Sequence, residues 1–187
     1  MSYLQRRRFL WILFLIGLAL IAAVANATTL VRLKFADLAA QATAIARVRS
    51  LHSTSYFKNR EIWTRTEFLV EAQSKGQLPR VVNVEMPGGI VGHLHSRVDE
   101  VPAFAPGEEA YVFLWAAPGG EYRILGWSQG AFRIRSDAAT GTRTVTQDSA
   151  VAPLFDPVSG QFRPGGVRNL PLAVFQLKLK KALEAAP

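Results

Sequence analysis

The stretch FAPGEEAYVFLWAAPGGEYRILGWSQGAFRIR, residues 104–135, decides how the rest of the chain is read. Pro106-Gly107 sets a fixed-φ residue before one free to take positive φ, which makes a tight turn. Ala110 to Trp115 is a short apolar and aromatic run, the composition of a strand buried on both faces. Pro118-Gly119-Gly120 turns the chain again, and Tyr122, Ile124 and Gly126 then alternate with Arg123, Leu125 and Trp127. Such alternation places successive side chains on opposite faces of a strand. Gly130 interrupts the run before Phe132 and Ile134 resume it against Arg133 and Arg135. A β-hairpin, a bulge and a continuing strand are expected.

The same period of two appears upstream. Ala44, Ala46 and Val48 alternate with Ile45, Arg47 and Arg49, as in a strand whose small residues face a crowded interior. Ile62, Thr64, Thr66, Phe68, Val70 and Ala72 form one face of a second strand, and Val82, Val84 and Met86 that of a third. Residues 52–60, HSTSYFKNR, are polar and suit a loop. Residues 90–103 form a long connection without clear periodicity, the kind compact domains use as functional loops or caps. Before these strands, residues 29–33 read as a short edge strand. Residues 34–41 read as one or two helical turns, with Phe35, Leu38 and Ala42 at helical spacing.

Downstream, residues 143–146 suit a last strand and residues 148–168 are loop-like. Residues 170–186 are amphipathic: Leu172, Phe175, Leu179, Ala182 and Leu183 share one helical face, with Lys178, Lys180 and Lys181 alongside. Docking on the barrel is favoured over membrane binding through those lysines. The fold expected is all-β: a five- or six-stranded, partly open OB-like barrel over residues 28–146 with a short N-terminal helix. A loop and a C-terminal amphipathic helix fill residues 147–187.

Residues 1–27 have the parts of a signal peptide: Arg6-Arg7-Arg8, an apolar run from Phe9 to Val24, and Ala25-Asn26-Ala27 as an A-x-A end. The apolar run is shorter than the roughly 20 residues of a spanning helix. Cleavage after Ala27 would start the mature chain at Thr28 in a periplasmic or secreted setting; retention of the segment as an anchor is the alternative. Hydrophobic content of 49% in 187 residues suits a packed core rather than disorder. The net charge of +8 falls to +5 without the three N-terminal arginines, which favours solubility and names no partner. The absence of cysteine excludes a disulfide framework, thiol catalysis, and zinc-thiolate and iron–sulfur centres.

Few motifs carry chemistry. Gly126-Trp127-Ser128-Gln129-Gly130 matches G-x-S-x-G, but a nucleophile elbow needs a helix after the serine and a later histidine. Here FRIR follows, and His52, His93 and His95 all precede Ser128. His93 and His95 form an H-x-H pair with no third ligand selected by spacing. No phosphate loop or dinucleotide fingerprint is present. Arg47, Arg49, Arg65, Arg80 and Arg123 near Trp63 and Trp127 would suit an anionic polymer or single-stranded nucleic acid on an open barrel.

PGGxVG at residues 87–92, PxFxxGEE at 102–109 and GxxQG at 126–130 resemble a family of uncharacterised secreted bacterial proteins. The order of elements is similar to the netrin-like OB barrel of the tissue inhibitors of metalloproteinases. Shared features are a strand after a short helix, a long strand ending in Lys75-Gly76, a proline-rich loop and GEEAYVFL. That second resemblance implies a secreted metalloprotease as partner. In those inhibitors an N-terminal cysteine chelates the protease zinc through its backbone, and disulfides brace it. Here Thr28 takes that position and the bracing is absent.

The function expected is therefore an exported, non-enzymatic binding module for an extracytoplasmic protein, with no cofactor, metal or nucleic acid. The binding residues expected are Thr28, Met86, Pro87, Gly88, Gly89, His93 and His95, with an exposed face around Trp127. A hydrolase or metal-dependent enzyme using Ser128 or the histidines is the alternative, and anionic-polymer binding is the third.

Overall fold

The computed structural model describes residues 30–185. Its longest feature is an antiparallel hairpin of two 15-residue strands, β1 (Ala44–Lys58) and β2 (Glu61–Lys75). Register shifts between Ile45 and Ala46, Arg47 and Val48, and Ser50 and His52 break the pairing of β1 with β2. Such irregularities bend a strand and increase its twist, and the start of β1 pairs on two sides. Ala44 to Arg49 also pair with β6 (Glu109–Ala116). β2 pairs with β3 (Val81–Pro87), which runs parallel to β7 (Tyr122–Ile124) at Val84 and Tyr122; β7 pairs with β6.

The ring therefore closes in the order β1-β2-β3-β7-β6-β1. Five strands enclose a core of Phe68, Val82, Val84, Met86, Val112, Leu114 and Ile124, with Ala44, Ala46 and Ala110 where little space is left. The expected partly open OB-like barrel is the architecture found. Closure leaves few unpaired strand edges, which is how small all-β domains avoid pairing with neighbours.

A second core lies on the other face of β6 and the start of β1, which is why β6 is apolar on both sides and β1 carries Ile45 there before Arg47 and Arg49. β8 (Ala131–Ser136) pairs with β6, β9 (Arg143–Gln147) with β8, and β12 (Leu170–Pro171) with β9. Helices α1 (Phe35–Gln41) and α2 (Leu172–Glu184) cover that side. Phe113, Phe132 and Phe175 are fully buried there. Phe35 meets each of them edge-on at ring separations of 5.7 to 5.8 Å. The apolar face expected for the C-terminal helix is the face that docks. Among the described residues no helix is long and apolar enough to cross a membrane.

Several local expectations are corrected. Residues 52–58 are strand, not loop: this end of β1 runs beyond its pairing with β6, so its side chains are polar and mostly exposed. The expected bulge at Gly126–Gly130 is a 3₁₀ turn, Trp127–Gly130, entered through Gly126 and Trp127 at φ 62° and 56°. The connection after β3 begins with a small hairpin, β4 (Gly89–Val91) and β5 (Leu94–Ser96). Residues 148–168 hold a 3₁₀ turn, Asp148–Val151, and a hairpin of β10 (Leu154–Asp156) and β11 (Gln161–Arg163). Of the edge strand expected at residues 29–33, Val31 alone among the described residues makes a bridge, to Phe155. The signal segment expected at residues 1–27 lies outside the described residues.

Candidate functional site

β1 runs on past its pairing with β6 while β2 stays paired with β3 as far as Trp63, and one face of this hairpin end carries Ser53, Ser55 and Phe57 opposite Thr66, Thr64 and Ile62. The hydroxyls pair across the strands: Ser53 with Thr66 at 2.8 Å and Ser55 with Thr64 at 2.9 Å. Thr64 donates to the carbonyl of Gly88 at 2.7 Å, so Ser55 donates to Thr64 and accepts from the amide of Ile90 at 3.2 Å. This chain of bonds seats β4 against the hairpin. Gly89, at φ 133°, is required there, because a Cβ would overlap both Ser55 Oγ and Thr64 Oγ1.

The chain from Arg97 to Phe104 closes the other side. Ser128 donates its amide to the carbonyl of Glu100 at 2.8 Å and its hydroxyl to the Glu100 carboxylate at 2.6 Å. Phe104 reaches into the barrel core against Phe68, with ring centres 4.9 Å apart. Between these walls lies a cavity of about 490 Å³ at the end of the barrel. Met86, Pro87, Gly88, Gly89 and His95 line it together, with Ser53, Thr64 and Thr66 as a hydroxyl wall. Ile90, 57% exposed, lines it beside His95 and the charged Arg97, Asp99 and Glu100; Leu94 and Phe57, 48% and 51% exposed, lie outside the lining on the same two hairpins.

The remaining expected residues lie elsewhere. His93 is exposed in the turn between β4 and β5, so the two histidines do not share a strand. Trp127 does not head an exposed face; it is half-buried and, as the first residue of the 3₁₀ turn, packs on the barrel core. Thr28 lies outside the described residues. Ser128 is buried, is held by Glu100 and is followed by β8, so the elbow geometry of strand, turn and helix is not formed. Among the described residues no three His, Asp or Glu side chains gather as metal ligands would.

The outer face of the same strands is electrostatically fixed. Glu85 is 2% exposed and accepts from Lys58 at 2.9 Å and from Arg65 at 3.1 and 2.7 Å. Burial pushes its carboxyl up, but the bonds from Lys58 and Arg65 outweigh this and hold it at about 2. Hydrogen bonds to Glu121 and then Glu85 raise Lys58 in turn, so the hairpin tip is tied to β3 and to the start of β7. Arg123 stacks on Trp63 and Trp115, 4.7 and 5.7 Å from their ring centres. Arg47 and Arg49 meet Glu71. The arginines that suggested a polyanion face are thus mostly neutralised or stacked; Arg80 remains exposed.

No family model and no curated protein matches this chain. The hydroxyl wall of the cavity is marked in the sequence by serines at 53 and 55 and threonines at 64 and 66, a period of two that is hidden when residues 52–60 are taken as loop. The wall formed by residues 97–104 has no such signal, since it depends on Ser128, which is distant in the chain.

Proposed function

We propose that this chain is an exported, non-enzymatic binding module that engages an extracytoplasmic protein through the rim of the barrel-end cavity. One observation carries the reading: Phe57, Ile90 and Leu94 stay exposed on two hairpins that hydrogen bonds pin together. Apolar side chains held out on rigid elements beside a concavity are the usual anchors of a protein interface. Because both hairpins are already ordered, little conformational freedom is lost on binding. The basic, apolar and A-x-A sequence of residues 1–27 supports export. The likeness of the sequence pattern to the netrin-like inhibitors implies a secreted metalloprotease as the partner class.

The test is capture from native secreted and envelope protein with the wild-type chain and with an Ile90→Asp/Leu94→Asp variant, whose circular dichroism should be unchanged. The wild type is expected to retain one protein in stoichiometric amount through a high-salt wash. For the purified pair, the variant should bind at least about 100-fold more weakly, as loss of two anchors implies. Equal capture by both proteins, or none by either, refutes the reading. A captured protease that stays fully active when saturated removes only the metalloprotease class.

A further inference from the structure

A second surface is independent of the cavity. Helix α2 buries Phe175 and Leu179 in the second core, yet Val174 and Leu177 remain 48% and 53% exposed. Val174, Leu177, Lys178 and Lys181 follow one another at spacings of three, one and three, which places them on one side of the helix. With Phe35, Val167 and Leu170 they line a groove of about 790 Å³. Its floor is apolar and its charged lining is wholly cationic: Lys178, Lys181 and Arg168. Lys178 lies 5.1 Å from the centre of the Phe35 ring. Lys180, on the neighbouring flank, meets Glu184 at 3.8 Å, whereas Lys181 makes no ion pair among the described residues.

We infer that this groove and the exposed side of α2 rest on a membrane surface that carries anionic lipids. An apolar strip of Val and Leu bordered by lysines is the composition of an interfacial helix: the apolar groups enter the acyl boundary while the ammonium groups reach the headgroups. Charge complementarity selects the lipid, since every charged group lining the groove is positive and attracts phosphate. A second copy is disfavoured, because a two-fold pairing would set the same lysines against each other. The order of the sequence agrees: Phe35 and Ala36, two of its walls, follow the apolar, arginine-led segment within nine residues of Ala27. Docking on the barrel and lying on a membrane use different sides of α2, so the two are compatible.

The chain has no cysteine, so Leu177→Cys in the full-length protein takes an environment-sensitive fluorophore at one place. Val158, 84% exposed in the turn between β10 and β11, serves as the control position through Val158→Cys. Vesicles of phosphatidylcholine, with and without phosphatidylglycerol, would carry a spin-label quencher in the acyl region. The label at 177 is expected to brighten and be quenched on the anionic vesicles and to do so less at high salt. The label at 158 should stay unchanged, and Lys178→Glu/Lys181→Glu should lower the response at 177 at least about five-fold. The inference fails if 177 responds no more than 158, responds equally on neutral vesicles, or keeps its response in the double variant. A change at 177 that grows with protein concentration without vesicles would assign the surface to a second copy and overturn it too.

Discussion

The Glu85 carboxylate, 2% exposed, receives the ammonium of Lys58 and the guanidinium of Arg65, and these bonds keep it charged against the cost of burial. A carboxyl held at about 2, below its usual 4.5, binds its proton less readily folded than unfolded. Its contribution is therefore complete above pH 4.5 and is lost as pH falls toward 2. Glu85→Gln should lower stability at neutral pH by about 1–3 kcal/mol, since it leaves Lys58 and Arg65 without their buried acceptor. Glu121, Asp137 and Asp156 are also held below their usual values, so wild-type stability declines with acid in any case. The diagnostic quantity is the difference between the two proteins in urea titrations, which should shrink from pH 4.5 to pH 2. A constant difference across that range would show that folding does not lower the Glu85 carboxyl below its ordinary value.

At the scale of elements, the turn Trp127–Gly130 has a structural use. Gln129 is 1% exposed; its amide donates to the carbonyl of Val31 at 2.9 Å, and its oxygen accepts from the amide of Leu33 at 2.7 Å. Its own carbonyl takes the side chain of Gln147 at 2.6 Å, and Gln147 accepts from the amide of Val167 at 3.2 Å. Two buried glutamines thus fasten the N-terminal segment and the stretch before α2 to the end of the barrel. Gln129→Leu should cost about 1–3 kcal/mol, because it strands a buried amide and carbonyl. Hydrogen exchange should locate the damage, with faster exchange at Leu33 while β1 to β3 keep their protection. Uniform loss of protection would mean that the turn supports the barrel itself.

For the whole molecule, two cores share one pair of strands. Ala110, Val112 and Leu114 of β6 face the barrel interior, whereas Tyr111 and Phe113 face the helices. The second core is complete only when Phe175 and Leu179 arrive from the end of the chain. Phe175→Ala should therefore cost about 3–5 kcal/mol in urea unfolding, as for a large buried aromatic. Leu177→Ala, on the exposed side of the same helix turn, should fall within about 0.5 kcal/mol of wild type. Similar losses from both would mean that α2 does not dock as described.

The sequence alone determined the all-β class, the apolar faces of β2, β3, β6 and β8, and the docking face of α2. Those features follow from side-chain period, which acts locally and needs no partner to be visible. It also marked the segment from Met86 to Gly89, since Pro and Gly in succession forbid a continuing strand. Only the tertiary structure decided that residues 52–58 are strand, because a strand that runs past one of its two partners keeps polar side chains and looks like loop. It alone decided that Trp127 packs against the core, and that Ser128 and Gln129 serve as clasps. Their partners are Glu100, Val31, Leu33 and Gln147, between 18 and 98 residues away. Contacts at such separations leave no periodic trace in the chain, and they come into being only when the barrel closes.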